Sequence, residues 1–143
     1  MTNVAQVLND KREHVVYTIS PDASVLEAIS LMADKGIGAI VVVEKESVVG
    51  ILSERDYTRK VELMDRSSNS TVVSEIMTPK VFTVDKSYSV EDCLQLMTDR
   101  HLRHLPVVEH DKLLGLISIG DLVKAAMEEQ RQLIEQLKQY ISG

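Results

Sequence analysis

The chain has 143 residues, of which 44% are hydrophobic, and carries a formal net charge of −6 and one cysteine. This predicts one module over 1–143 with a real core; the acidic balance argues against nucleic acid as the main partner. No apolar run approaches the roughly 20 residues that span a bilayer, residues 1–10 lack a signal-peptide layout, and a lone cysteine excludes an internal disulfide. We therefore expect a cytoplasmic protein with no membrane partner.

The first half of the chain predicts the order strand, helix, strand, strand, helix. The first helix is expected to begin at Ser24, whose hydroxyl and Glu27 three residues later form a capping-box pattern, and to end at Gly36. The run after it is almost wholly apolar, as in a strand covered on both faces. The predicted elements are 15–19, the helix from 24, 37–43, 48–52 and a helix from about 53.

The second half repeats this order. Gly50-Ile51-Leu52-Ser53-x-x-Asp56 recurs as Gly115-Leu116-Ile117-Ser118-x-x-Asp121, 65 residues later. Two copies are too few for a solenoid and predict a pseudo-symmetric pair, with a ligand cleft expected between the copies. The repeated elements are predicted at 80–84, from 89, at 102–108, at 113–117 and from 118, after a polar linker over 62–78 that ends in a helical turn before Pro79.

The last helix is expected to run to the C-terminus, well beyond the repeated region, with 128–143 as an extension. Its apolar residues are spaced three and four apart. One interpretation packs this stripe back on its own domain. The other, which we favour, packs it on another subunit, because so long a stripe needs a matching apolar surface. The stripe contains Val123, Ala126, Met127, Gln130, Leu133, Ile134, Leu137, Tyr140 and Ile141.

The two Gly-x-x-Ser-x-x-Asp motifs, with Ile76-Met77-Thr78-Pro79 and Arg103-His104-Leu105-Pro106-Val107-Val108, resemble those of tandem CBS-domain proteins. The resemblance implies an α/β fold of the α+β type: two pseudo-symmetric repeats, at 7–64 and 72–127, in a flat Bateman module that commonly forms a homodimer. It also implies binding of an adenosine-containing ligand (AMP, ATP or NAD(H)).

The Ser-x-x-Asp pattern by itself is first a helix capping box. The resemblance adds that Asp56 and Asp121 would bind ribose and that Ser53 and Ser118 would lie at the ribose or phosphate. Strand residues would contact adenine, although plain core is an equal interpretation for Ile19 and Val84. The candidate ligand-binding residues are Thr18, Ile19, Ile37, Gly38, Ala39, Ser53, Arg55, Asp56, Arg59, Thr83, Val84, Arg103, His104, Leu105, Ser118, Gly120 and Asp121.

The copies differ in their basic residues. The first has Arg55 and Arg59, whereas the second has Arg103 and His104 in its strand. These side chains are either a solvated face or, because arginine suits phosphate, part of unequal sites. In that second interpretation the site at Ser53 would favour a di- or triphosphate or a dinucleotide, and the site at Ser118 would accept AMP.

No phosphate-binding glycine loop, nucleophile elbow or metal-ligand set occurs, so we expect no catalysis, catalytic cofactor or metal. Cys93 is expected to be a buried thiol. The predicted function is an adenine-nucleotide sensor that signals to a separate, unknown partner protein. The alternatives are a constitutive protein-interaction module and a redox-linked regulator of another enzyme.

Overall fold

The computed structural model describes residues 2–11 and 15–142. The helices and strands of this part of the chain follow the predicted order, except that one further helix precedes them and the strand predicted over 80–84 is not among them. The elements are α1 (Val4–Asp10), β1 (Thr18–Ile19), α2 (Val25–Lys35), β2 (Ala39–Glu44), β3 (Ser47–Ser53), α3 (Glu54–Tyr57), a π-helical turn (Thr58–Glu62), α4 (Val73–Ile76), α5 (Val90–Arg100), β4 (His104–Glu109), β5 (Lys112–Ser118) and α6 (Ile119–Ser142).

The chain divides into two compact units, each built around one repeat. The first-repeat unit comprises residues 16–82 and 110–113. The second-repeat unit comprises the described residues up to 15, together with 83–109 and 114–142. α1 therefore belongs to the unit of the second repeat, although it precedes the first repeat in the chain.

In the first-repeat unit the sheet order is β1-β2-β3. β1 is parallel to β2, and β2 is antiparallel to β3. The predicted strand over 15–19 pairs only at Thr18 and Ile19. Thr18 lies opposite Val41 in the register, so Val15 would lie opposite Gly38. Because β2 starts only at Ala39, Val15 has no strand residue to pair with. The core of this unit joins Ile19 and Ile40 to the inner faces of α2 and α4.

In the second-repeat unit the predicted strand over 80–84 is reduced to a single parallel bridge between Val84 and Val107. Val84 N–H donates to the Pro106 carbonyl, and Val108 N–H donates to the Val84 carbonyl. The next rung would require a backbone N–H from Pro106 for the Phe82 carbonyl, and proline has none. The first repeat has Val41 at the equivalent position, so its ladder continues.

Helices α1 and α4 dock by the same hydrogen bonds, each on the unit of the other repeat. Val4 N–H donates to the Tyr88 carbonyl at 2.9 Å, and Val73 N–H donates to the Ala23 carbonyl at 2.9 Å. Tyr88 and Ala23 are equivalent positions, 65 residues apart. α1 was not among the predicted elements. Its signal was a capping box in which Asn3 accepts from the Gln6 amide and the Gln6 side chain accepts from Asn3.

α6 has two different halves. Its first half buries Leu122 and packs Ala125 and Ala126 against the core of the second-repeat unit. Residues 130–142 are all exposed. The interpretation that packs the apolar stripe of α6 back on its own domain is therefore wrong for residues 130–142. Among the described residues, no helix combines the length and apolar character that a bilayer crossing requires.

Candidate functional site

Ser53 ends β3 and caps α3 in the first-repeat unit. Its hydroxyl accepts from the Asp56 amide at 3.2 Å, and the Asp56 Oδ2 accepts from the Ser53 amide at 2.9 Å and from the Ser53 hydroxyl at 3.0 Å. This reciprocal box holds the carboxylate beside the end of the strand. The capping-box prediction for Ser53 and Asp56 is confirmed.

Lys60 completes this cluster. Its ammonium lies 3.3 Å from Asp56 Oδ1 and donates to the Ile76 carbonyl at 3.0 Å. Lys60 is in the π-helical turn that follows α3; such turns are rare and are frequent at functional sites. Both carboxylate oxygens of Asp56 therefore have partners within the unit.

The predicted strand residues surround the same end of the sheet. Ala39 lies opposite Ser53 in the register, and the Glu54 amide donates to the Gly38 carbonyl at 3.0 Å. Ile37 precedes Gly38 and is half-buried. Thr18 is exposed on β1 and lies opposite Val41, two residues after Ala39 in β2. The exposed predicted residues of this unit are Thr18, Gly38, Arg55 and Arg59.

The second-repeat unit repeats the arrangement at Ser118 and Asp121. The Ser118 amide donates to Asp121 Oδ2 at 2.9 Å, and the Asp121 amide donates to the Ser118 hydroxyl at 3.1 Å. The Ile119 amide donates to the Arg103 carbonyl at 2.9 Å, as Glu54 does to Gly38. Thr83, Arg103 and Gly120 are exposed, and His104 is partly buried.

The cation beside Asp121 is Lys11, which comes from the end of α1. The Lys11 ammonium donates to Asp121 Oδ2 at 2.9 Å and to the Leu116 carbonyl at 2.8 Å. Lys11 and Lys60 thus contact the same two kinds of group, an aspartate carboxylate and a main-chain carbonyl, from unrelated places in the sequence. Sequence reasoning missed both lysines as partners of the aspartates, and no local pattern marks Lys11.

The charges near Asp121 shift two pKa values. Burial by itself raises the pKa of Asp121, but hydrogen bonds from Ser118 and Lys11 outweigh burial and hold it below its usual value. Burial lowers the pKa of His104. The negative charge of Asp121 raises this pKa, whereas the positive charges of Lys11 and Arg103 lower it further. His104 thus lies within electrostatic reach of the Asp121 carboxylate and of the Lys11 and Arg103 cations.

Four of the predicted residues have side chains in the cores. Ile19 and Val84 are buried, in agreement with the core interpretation, and Ala39 and Leu105 are buried as well. A ligand would therefore meet these residues through their backbone groups. No group of three His, Cys, Asp or Glu side chains able to hold a metal occurs in 2–11 or 15–142.

Comparison with known proteins places this arrangement in a family. A model of the CBS domain matches residues 6–63 and 73–128. The Arabidopsis thaliana CBS domain-containing protein CBSX3, mitochondrial, is 42% identical over 127 residues, which cover 85% of this chain. The chain spans 62% of that relative's length.

Solved structures agree with this match. A protein with CBS domains from Burkholderia ambifaria MC40-6 is 51% identical with a TM-score of 0.86, over 90% of this chain and 96% of that one. CBSX2, solved in complex with AMP, is 25% identical with a TM-score of 0.74, over 90% and 98% of the two chains. The α/β fold of two repeats and the resemblance drawn from the Ser-x-x-Asp motifs are confirmed: the chain belongs to the CBS-domain family and carries two CBS domains in tandem.

Proposed function

We propose that this CBS pair is a non-catalytic regulatory module that binds an adenine nucleotide (AMP, ATP or NAD(H)) through Asp56 and Asp121. The observation that carries the proposal is that each repeat holds one aspartate carboxylate at a helix start by a capping box and places a lysine ammonium against it. The AMP complex of CBSX2 supports the choice of ligand.

The chemistry of these carboxylates suits a ribose, whose two neighbouring hydroxyls can donate to the oxygens of one ionised acid. Asp121 Oδ1 has no bonding partner among the described residues, whereas Ser118 and Lys11 occupy Oδ2. Asp56 has partners on both oxygens, from Ser53 and Lys60. A diol can therefore add to Asp121 directly, while at Asp56 it must displace or share the lysine.

The two sites are proposed to be unequal in the phosphates they accept. Arg55 and Arg59 are exposed on the helical segment that begins at Ser53, and the equivalent positions of the second repeat are Gly120 and Lys124. Arginine binds phosphate oxygens through a planar fork of donors. The Asp56 site would accordingly favour a di- or triphosphate or a dinucleotide, and the Asp121 site would accept AMP.

The output of the module is proposed to go to a separate protein, from a homodimer of this chain. A nucleotide can bias the module only by binding one of its conformations better than another. Signalling in this sense requires a partner that contacts the favoured conformation.

Calorimetric titration with AMP, ATP, NAD and NADH, on protein stripped of carried-over nucleotide, tests the proposal. Asp121→Ala should weaken AMP binding by at least about tenfold, because hydrogen bonds to a charged group contribute roughly 1.5–3 kcal/mol. Asp92→Ala is the matched control, since Asp92 stands at the same helix position after the capping residue Ser89. Equal affinity in wild type and Asp121→Ala would remove Asp121 from the site.

A constitutive interaction module is the second candidate, and the exposed apolar side chains of α6 favour it. Thermal unfolding separates the two candidates, because a ligand that binds only the folded state raises the melting temperature by mass action. No shift with any of the four nucleotides, or with S-adenosylmethionine, would favour the interaction module.

A further inference from the structure

The two repeats use the oxygens of their aspartate carboxylates differently. In both repeats Oδ2 accepts from the amide of the capping serine. In the second repeat Lys11 donates to this same Oδ2, so Oδ1 has no bonding partner among the described residues. In the first repeat the Lys60 ammonium lies 3.3 Å from Oδ1, the oxygen that the serine does not use. The second repeat carries Ala125 at the position of Lys60, so its own helix offers no such cation.

Asp56 has little capacity left to accept hydrogen bonds from a ligand. Its Oδ2 accepts from the Ser53 amide at 2.9 Å and from the Ser53 hydroxyl at 3.0 Å, and Lys60 lies against Oδ1. A carboxylate has about four lone-pair positions, which leaves room for about one further donor. The Asp56 side chain is 14% exposed, against 27% for Asp121. The two hydroxyls of a ribose therefore cannot both donate to Asp56 while Lys60 stays in place.

The Lys60 side chain can leave Asp56 without a change in the backbone. Its ammonium also donates to the Ile76 carbonyl at the end of α4, at 3.0 Å, yet the side chain is 45% exposed. Lysine carries its three donors on a flexible four-carbon stem, so the ammonium can turn towards a group that lies on the solvent side. It will do so when a ligand offers it another anion, because leaving Asp56 otherwise gives up a charged partner.

A phosphate is the anion that can replace Asp56 as the partner of Lys60. Arg55 and Arg59 lie on the same helical segment, are exposed, and form no ion pair with any residue in 2–11 or 15–142. A phosphate near these arginines can accept charge-assisted hydrogen bonds from them and from the Lys60 ammonium together. A nucleoside without a phosphate offers no such anion, so its ribose would have to displace Lys60 without compensation.

We propose that Lys60 is a specificity-determining residue of the Asp56 site, which selects phosphate-bearing adenine nucleotides against adenosine. The Lys60 ammonium excludes the ribose diol from Asp56 until a phosphate of the same ligand binds that ammonium. Ribose binding and phosphate binding are thereby coupled at this site. At Asp121 the free Oδ1 accepts the diol without this coupling. The inference rests on the proposed function of Asp56 and names the residue that sets its ligand class.

Calorimetric titration with ATP and with adenosine tests the proposal in an Asp121→Ala background, which leaves the Asp56 site. Lys60→Met should raise the affinity for adenosine about tenfold or more, because the diol no longer displaces a charged hydrogen-bond donor. It should not raise the affinity for ATP, because a phosphate partner is lost at the same time. Lys45→Met is the matched control: it removes an exposed lysine from the β2–β3 turn, at the opposite end of these strands from Ser53. It should change either affinity less than about threefold.

Two further measurements connect the gain to the diol and to Lys60 itself. The affinity for 2′-deoxyadenosine, which lacks one of the two hydroxyls, should rise less than that for adenosine. Lys60→Ala introduces the residue type that the second repeat carries at this position and should show the same gain. The same titrations with Asp121 intact, fitted to two sites, provide the comparison independently of the Asp121→Ala background.

The possible failures are distinguishable. An adenosine affinity that is unchanged or lower in both Lys60 variants would overturn the proposal, since a lysine that only binds phosphate, or only supports the fold, gives that result. Absence of ATP binding at the Asp56 site of the otherwise unaltered chain would instead overturn the proposed function of Asp56, and this inference with it.

Discussion

The Lys11 ammonium lies 2.9 Å from Asp121 Oδ2, although the two residues are 110 positions apart in the chain. Lys11 also donates to the Leu116 carbonyl in β5. The contact fastens the end of α1 to the start of α6. The carboxylate that we propose for the ribose is thus also a structural link within the second-repeat unit, and this dual role has consequences that can be measured.

Lys11→Met should destabilise the fold at neutral pH by about 1–2 kcal/mol, because it removes a charge-assisted hydrogen bond from a partly buried carboxylate. The folded pKa of Asp121 lies below its usual 3.8, so the pair stabilises the fold above about pH 3.8 and its contribution is lost as pH falls through the folded pKa. Urea unfolding of Lys11→Met, Asp121→Asn and the double variant measures the coupling.

Lys112→Met is the control for this cycle, since Lys112 is exposed at the start of β5 and forms no ion pair among the described residues. It should change the free energy of unfolding by less than about 0.5 kcal/mol. Coupling that is equally large at pH 7 and pH 3 would contradict the assignment to Asp121.

Gly50→Ala should destabilise the fold by about 1–3 kcal/mol. A methyl group there would lie 2.5 Å from the Met77 sulfur and 3.0 Å from the Thr78 carbonyl oxygen, which is backbone and cannot yield. Gly115→Ala meets mainly the Leu8 side chain, at 2.6 Å, and should cost less because that side chain can rotate. The midpoints of denaturant unfolding of these two variants are compared with that of Gly38→Ala, whose added methyl group has no atom within 4 Å. A larger destabilisation by Gly38→Ala would refute the explanation by steric contact.

His101→Gly should stabilise the fold by up to about 1 kcal/mol, and Gly36→Ala should destabilise it by a similar amount. Both residues end a helix in the left-handed conformation, with φ of 56° at His101 and 65° at Gly36. A side chain makes that conformation unfavourable. The free energy of unfolding of each variant decides the matter, and a destabilised His101→Gly would indicate that the imidazole makes a stabilising contact.

Cys93 should react slowly with iodoacetamide in the folded protein. Burial, with a smaller effect from Asp92, raises its pKa from 9.0 to about 11, which lowers the thiolate fraction at pH 8 about a hundredfold. Gln139→Cys supplies an exposed thiol in the same chain as an internal reference. Similar rates at both thiols would contradict the buried environment that raises the pKa of Cys93.

Contacts within a few residues could be predicted. The serine cap at Ser24, which lacks the reciprocal bond from Glu27, and the capping boxes at Ser53 and Ser118 join groups three residues apart, and hydrophobic periodicity located α2, α5 and α6. These features depend only on helix and strand geometry, which a local stretch of sequence determines. The 65-residue repeat that marks the two CBS domains could also be predicted, because it is visible in the sequence without knowledge of tertiary contacts.

The tertiary structure decided what depends on distant partners. Pro106 shortens a strand more than 20 residues away by lacking one N–H, the helix before each repeat docks on the unit of the other, and Lys11 and Lys60 reach equivalent aspartates from unrelated positions. None of these has a local signal, because each arises when packing brings together segments whose separation the sequence does not constrain. The sequence by itself therefore determined the two Ser-x-x-Asp capping boxes, and packing decided which cation each aspartate contacts.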